Sequence, residues 1–193
     1  MQKKETTIFY PKSTKEWRKW LEKNHQSHTS VWVVFFNKSS KKKTISWSEA
    51  VDEALCFGWI DSKKIKIDEE SSHQFFSKRK AISTWSKINK EKIKRLIEEN
   101  KMSKAGNEII EIAKKNGSWE MLDEVEELKV PTELNSEFET NPTARDFFNS
   151  LSKSNRKMIL HWIVMAKRSE TKQNRIKEII ERGNQNLKPK HIA

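Results

Sequence analysis

Four side chains within one short stretch are of the types that acid–base or nucleophilic chemistry uses: Cys56, Asp61, His73 and Arg79. Asp61 follows the apolar pair Trp59-Ile60, which predicts a partly buried carboxylate. Such a group either pairs with a cation or holds its proton to higher pH, and both conditions recur in active sites. The competing role is structural, with Asp61 closing a strand end or pairing with Lys63, Arg79 or Lys87. Cys56 falls near the end of a predicted helix, where the dipole opposes a thiolate, so it reads as a small hydrophobe. No base partner stands beside a nucleophile. Catalytic residues are therefore unassigned, and the reading leans away from an enzyme.

Two binding groups overlap in the same region. Trp59, Asp61, His73, Arg79, Trp85, Lys87 and Asn89 form a candidate pocket for a small ligand. Lys78, Arg79, Lys80, Trp85 and Lys87 combine positive charge with an aromatic face, which can hold a phosphate and stack a base. Trp85 can equally plug a junction between sheet and helix. The partner classes these groups suit are an anionic ligand or nucleic acid.

No glycine-rich phosphate loop, zinc helix or nucleophile elbow is present, and the chain has only four glycines. The five histidines, at 25, 28, 73, 161 and 191, share no ligand spacing. The single cysteine excludes an intramolecular disulfide and a cysteine metal cluster. Neither a metal nor a cofactor is expected.

The elements that must position these residues are well signalled. Ser46 and Glu49 make a capping box for a helix that places Trp47, Val51, Ala54 and Leu55 on one face. Gly58 suits the left-handed residue that ends it. Residues 59–68 then alternate in their second half, with Ile65 and Ile67 on one face, 68–71 turn, and 72–77 return as a partner strand. Upstream, Ser13 and Glu16 open a helix with Trp17, Trp20 and Leu21 inward. The run VWVVFF at 31–36 lacks alternation and predicts a central strand covered on both faces. Helices follow at 89–99 and 104–115. The fold class is α+β, a small three-stranded sheet with packed helices followed by a helical C-terminal region.

Charge divides the chain unevenly. The net charge is +12, yet residues 120–139 hold eight acidic groups and one basic one, Lys129. That charge suits nucleic acid, an anionic membrane or acidic ligands, and it also suits plain solvation of helix faces by lysine. The expected organisation is an α+β domain over 1–120, an acidic connector over 121–134, helices over 135–185 and a flexible tail over 186–193. Amphipathic patterns place Phe147, Phe148 and Leu151 on one C-terminal helix, Ile159, Trp162 and Ile163 on the next, and Ile176, Ile179 and Ile180 on the last. No apolar run reaches the ~20 residues of a membrane span. The N-terminal MQKKETTIFYPKS lacks a signal core, so a reducing cytoplasm is expected.

A set of motifs extends over most of the chain. It comprises DEALCFGWID at 52–61, FFSKR at 75–79 and STWSKIN at 83–89, then NPTARDFF at 141–148, SNR at 154–156 and Trp162-Ile163. It ends with Ala166-Lys167, ETK at 170–172 and Arg175-Ile176. Together they resemble the YdeI/OmpD-associated family of bacteriocin-protection proteins, over about 10–182. The part that defines that family resembles 135–182. Ser169 departs from the family pattern, which has proline before Glu-Thr; either residue starts a helix. The resemblance implies a stress-resistance role against bacteriocins or cationic peptides and carries no catalytic residues with it.

Overall fold

The computed structural model describes residues 7–192; residues 1–6 of the segment read for a signal core lie outside them. The chain forms two compact units, Met1–Trp119 and Glu120–Ala193. In chain order the first holds β1 (Ile8–Phe9), α1 (Thr14–Asn24), β2 (Ser30–Phe36), α2 (Trp47–Cys56), β3 (Trp59–Lys66), β4 (Ser71–Lys78), α3 (Lys87–Glu98) and α4 (Lys104–Lys115).

The sheet has four strands in the order β1-β2-β4-β3, where three were expected. The added member is β1, two residues pairing parallel to β2 through Ile8–Trp32 and Phe9–Val33. A strand that short has no periodicity to read. The β2/β4 and β3/β4 pairs are antiparallel, and β4 returns along β3 as the turn at 68–71 predicts.

Burial in β2 alternates, contrary to the expectation of cover on both faces. Val31, Val33 and Phe35 are buried, whereas Trp32, Val34 and Phe36 are half-buried. The first set joins a core with Trp17 and Leu21 of α1, Ala54 and Leu55 of α2, Leu96 of α3 and Ile110 of α4. The second set lies on the opposite face, shaded by its own neighbours: the Trp32 ring meets Phe75 edge-on at 4.9 Å. Apolar residues on both faces thus arise from ring packing on one of them.

The helix starts follow their caps. Ser46 accepts from Glu49 N while Glu49 accepts from Ser46 N, the complete reciprocal box. Ser13 likewise accepts from Glu16 N, but the Glu16 carboxylate reaches Lys12 N at 2.8 Å instead of returning to the cap. Trp17 Nε1 donates to Ala50 O at 3.0 Å, tying α1 to α2.

The end of α2 is the tightest junction. Cys56 O accepts from Ser103 N at 3.0 Å and from Ser103 Oγ at 2.7 Å. Ser103 is also the N-cap of α4, accepting from Gly106 N at 3.2 Å. A Cβ on Gly106 would lie 2.2 Å from Cys56 O. Gly58 turns the chain out of α2 with φ +72, and a Cβ there would sit 3.1 Å from Ile109 Cγ2. Both glycines are therefore required by geometry.

The second unit contains α5 (Asp123–Glu126), α6 (Thr132–Thr140), α7 (Pro142–Ser150), α8 (Lys153–Val164) and α9 (Ser169–Gly183). The acidic segment read as a connector belongs to it: Leu122, Val125 and Leu134 are buried with Phe148, Ile159, Leu160 and Ile179 in a second core. Apolar residues between the carboxylates anchor it. Residues 186–192, expected as a flexible tail, return to the unit: Ile192 is buried in that core and Lys190 N donates to Glu178 Oε1 at 2.7 Å. Among the described residues no helix is long and apolar enough to cross a membrane.

Gly106→Ala is expected to destabilise the protein by about 3 kcal/mol, since the added methyl must displace backbone. Ser103→Ala should cost about 1–2 kcal/mol through the lost cap and the unmade bond to Cys56 O. Urea denaturation checks both, and equal costs for the two would remove the steric account.

Candidate functional site

Between the β3–β4 hairpin, the 37–44 loop and the start of α2 lies a cleft of about 1020 Å³. One wall is the helix-bearing face of the hairpin, with Lys64, Lys66, Ser72 and Gln74. The other runs from Thr44 to Glu49, and Phe35 and Ile45 supply apolar lining. Asn37 latches the loop to the hairpin tip, donating from its backbone to Glu70 O and from Nδ2 to Glu69 O, both at 2.8 Å.

Beside the cleft, Asp61 holds two of its walls together. Asp61 Oδ2 accepts from Trp47 Nε1 at 2.9 Å and from Gln74 Nε2 at 3.3 Å. Gln74, only 4% exposed, also donates to Ser62 O at 3.0 Å. That bond has a local cause: the β3/β4 register shifts between Asp61 and Lys64, and the glutamine amide satisfies a carbonyl of the bulge. Trp47 is consequently fixed in position although it is 51% exposed.

Most carboxylates around the cleft have fixed duties. The Ser46 hydrogen bonds hold Glu49 below the usual carboxylate range. The Ser71 hydrogen bonds do the same for Asp68 in the hairpin turn. Glu69 pairs with Lys66 at 2.7 Å, and Glu70 accepts from Ser40 Oγ at 3.1 Å. Lys38 and Lys64 form no ion pair among the described residues. The arrangement offers an indole face, an apolar patch and uncommitted ammonium groups, which suits a ligand with an apolar body and an anionic group.

The expected site residues are distributed over several places. Asp61 lies beside the cleft. Trp59 is fully buried in the main core, with Nε1 lacking a partner. His73 sits on the opposite sheet face, 6.4 Å from the Trp32 ring. Arg79 stacks on Trp85 at 3.6 Å, and its Nη1 donates to Thr84 O at 2.9 Å. Burial pushes Arg79 down to about 10, against the pull of the Asp61 charge.

Trp85 is 1% exposed and also meets Trp119 at 5.0 Å, so its ring is used within the fold. Lys78 and Lys80 are exposed beside this pair, and Lys78 Nζ donates to Gln26 O. Lys87 and Asn89 occupy the first turn of α3, where Asn89 N donates to the Ser86 cap. Cys56 is buried, and burial pushes its thiol up to about 11, with Glu53 adding to the effect. Among the described residues no cluster of His, Cys, Asp or Glu could hold a metal.

Trp47, Gln74 and Lys64 are the cleft residues that sequence reasoning missed. Trp47 shares helical spacing with Val51, Ala54 and Leu55, yet at the first position of α2 it is exposed and donates to Asp61. Its place immediately after the Ser46 cap was the available signal.

Asp61→Ala is expected to cost about 1–2 kcal/mol, since buried Gln74 loses an acceptor and Trp47 is released. Asp61→Asn keeps an acceptor oxygen and should cost less. Urea denaturation orders the two; an equal loss would show that the acceptor does not matter.

Comparison with known families divides the chain where the structure does. Residues 9–109 match a domain of unknown function (DUF8412), and residues 127–186 match the bacteriocin-protection, YdeI or OmpD-associated domain. No curated protein and no solved structure matches. The motif at 52–61, read from sequence as part of the YdeI/OmpD-associated resemblance, falls within the DUF8412 match, so that resemblance holds for the C-terminal helices. The chain thus belongs to the DUF8412 family through its sheet-bearing unit and carries a YdeI/OmpD-associated bacteriocin-protection domain in its helical one.

Proposed function

We propose that this protein is a cytoplasmic, bacteriocin-protection-type protein that acts by binding, with the cleft of its first unit taking a small ligand that carries an anionic group. The observation that carries this reading is Trp47, exposed yet held by Asp61, facing a cleft in which Lys64 has no carboxylate partner. A fixed aromatic face costs little conformational entropy on binding, and an unpaired ammonium supplies charge recognition. The fixed duties of Glu49 and Asp68, and the high position of the Cys56 thiol, favour binding over turnover.

Direct capture of cationic peptides by the first unit is disfavoured. Residues 1–119 carry 26 basic and 15 acidic side chains, +11, against +1 for 120–193. Like charges repel an incoming cationic peptide. Protection is therefore read as indirect, through the ligand-bound state of the cleft. The lone buried Cys56 suits the reducing cytoplasm proposed.

A thermal-shift screen of anionic metabolites tests the reading, because a ligand of the folded state raises its apparent stability. Stabilisation of the wild type that falls at least about tenfold in affinity in Trp47→Ala and Lys64→Ala is expected. No stabilisation across a broad library, or stabilisation untouched by both substitutions, removes it.

A further inference from the structure

The sheet face turned away from the helices has a composition that the cleft, which shares Phe36 with it, does not explain. Register and alternation place Ile8, Trp32, Val34, Phe36, His73 and Phe75 on it, with Ile65 opposite His73. None of the residues that the strand registers place on this face is acidic, although the chain holds 27 acidic residues. Two aromatic groups stand on β2, each with a lysine over it. Lys63 Nζ lies 5.3 Å from the Trp32 ring centre and 6.0 Å from that of Phe75. Lys42 Nζ lies 4.5 Å from the Phe36 ring centre, and Tyr10 meets the same ring at 5.1 Å. Four residues of strand separate the groups, about 13 Å.

We propose that this face is a platform for single-stranded nucleic acid, with bases stacking on Trp32–Phe75 and on Phe36 and phosphates meeting Lys63 and Lys42. Each ammonium is held over a ring by a cation–π contact, an arrangement that a base can replace while the lysine turns outward to a phosphate. The exchange keeps both the ring and the charge engaged. Charge complementarity supports this occupant: the paired strand positions of the face hold no carboxylate, Asp68 in the hairpin turn being the one that acts on Lys42, and the face belongs to the unit that carries +11. Duplex fits less well, because its bases are already stacked on one another. An anionic membrane would call for large apolar groups standing clear of the surface; Ile8 and Ile65 on the lateral strands do so, whereas the rings of Trp32, Phe36 and Phe75 lie half-buried in the sheet.

The test is fluorescence anisotropy of the full chain with a short labelled single-stranded RNA, a duplex of the same sequence and anionic vesicles, at low and moderate salt. Tighter binding of the single strand than of the duplex is expected, weakening with salt. Trp32→Leu and Lys63→Glu should each lower that affinity roughly tenfold. Lys78→Glu with Lys80→Glu, which alters the basic loop, should change it less, and Trp47→Ala in the cleft should leave it unchanged. Circular dichroism monitors folding; if Trp32→Leu unfolds, exposed Lys63 and Phe75→Leu still decide the matter. The proposal is overturned by no binding at low salt or by equal binding of duplex and single strand with no effect of Lys63→Glu. Preference for vesicles over RNA would also overturn it.

Discussion

Two helix ends meet at the carbonyl of Cys56. The carboxyl end of α2 and the amino end of α4 bring opposite partial charges together, and Ser103 joins them by donating twice to Cys56 O while capping its own helix. Gly106 and Gly58 leave the space that lets the two backbones approach. Fixing this junction sets the direction of α2. Its far end then presents Trp47 to the cleft, and the chain leaving it enters β3 beside β4.

Much of this is legible in the sequence. Side chains that satisfy backbone groups locally leave a short-range signature, so Ser46-Glu49, Gly58 and Ser103 announce helix boundaries that the structure keeps. Features that depend on distant partners left no such mark. Gln74 reads as one polar residue in an aromatic strand, and its role follows only from a register shift in the facing strand. Trp47 fits the core periodicity of α2, yet it is exposed, and its partner Asp61 lies on the following strand. Trp85 shows another limit: its basic loop allows an open ring and a plug equally, and Arg79 and Trp119 occupy the ring.

The two units also differ in how they are held. The first relies on tryptophans, with Trp17, Trp59 and Trp85 all but fully buried, while the second core is aliphatic with Phe138 and Phe148. Large rings supply much of the buried area in a chain with only 34% hydrophobic residues. The charge imbalance follows the same division, so lysine solvates the ring-built unit and the helical unit stays near neutrality.

The sheet's borders carry a consequence of their own. One lateral strand, β1, is only two residues long. The other, β3, is interrupted by its bulge and studded with Lys63, Lys64 and Lys66. Neither offers the long, flat row of free amides and carbonyls on which a foreign strand assembles. Growth of the sheet by edge addition is thereby discouraged, protecting an aromatic, sheet-bearing unit from templated association. That leaves the broad surfaces and the cleft of this unit, where side chains rather than backbone face outward, as the places proposed for recognition.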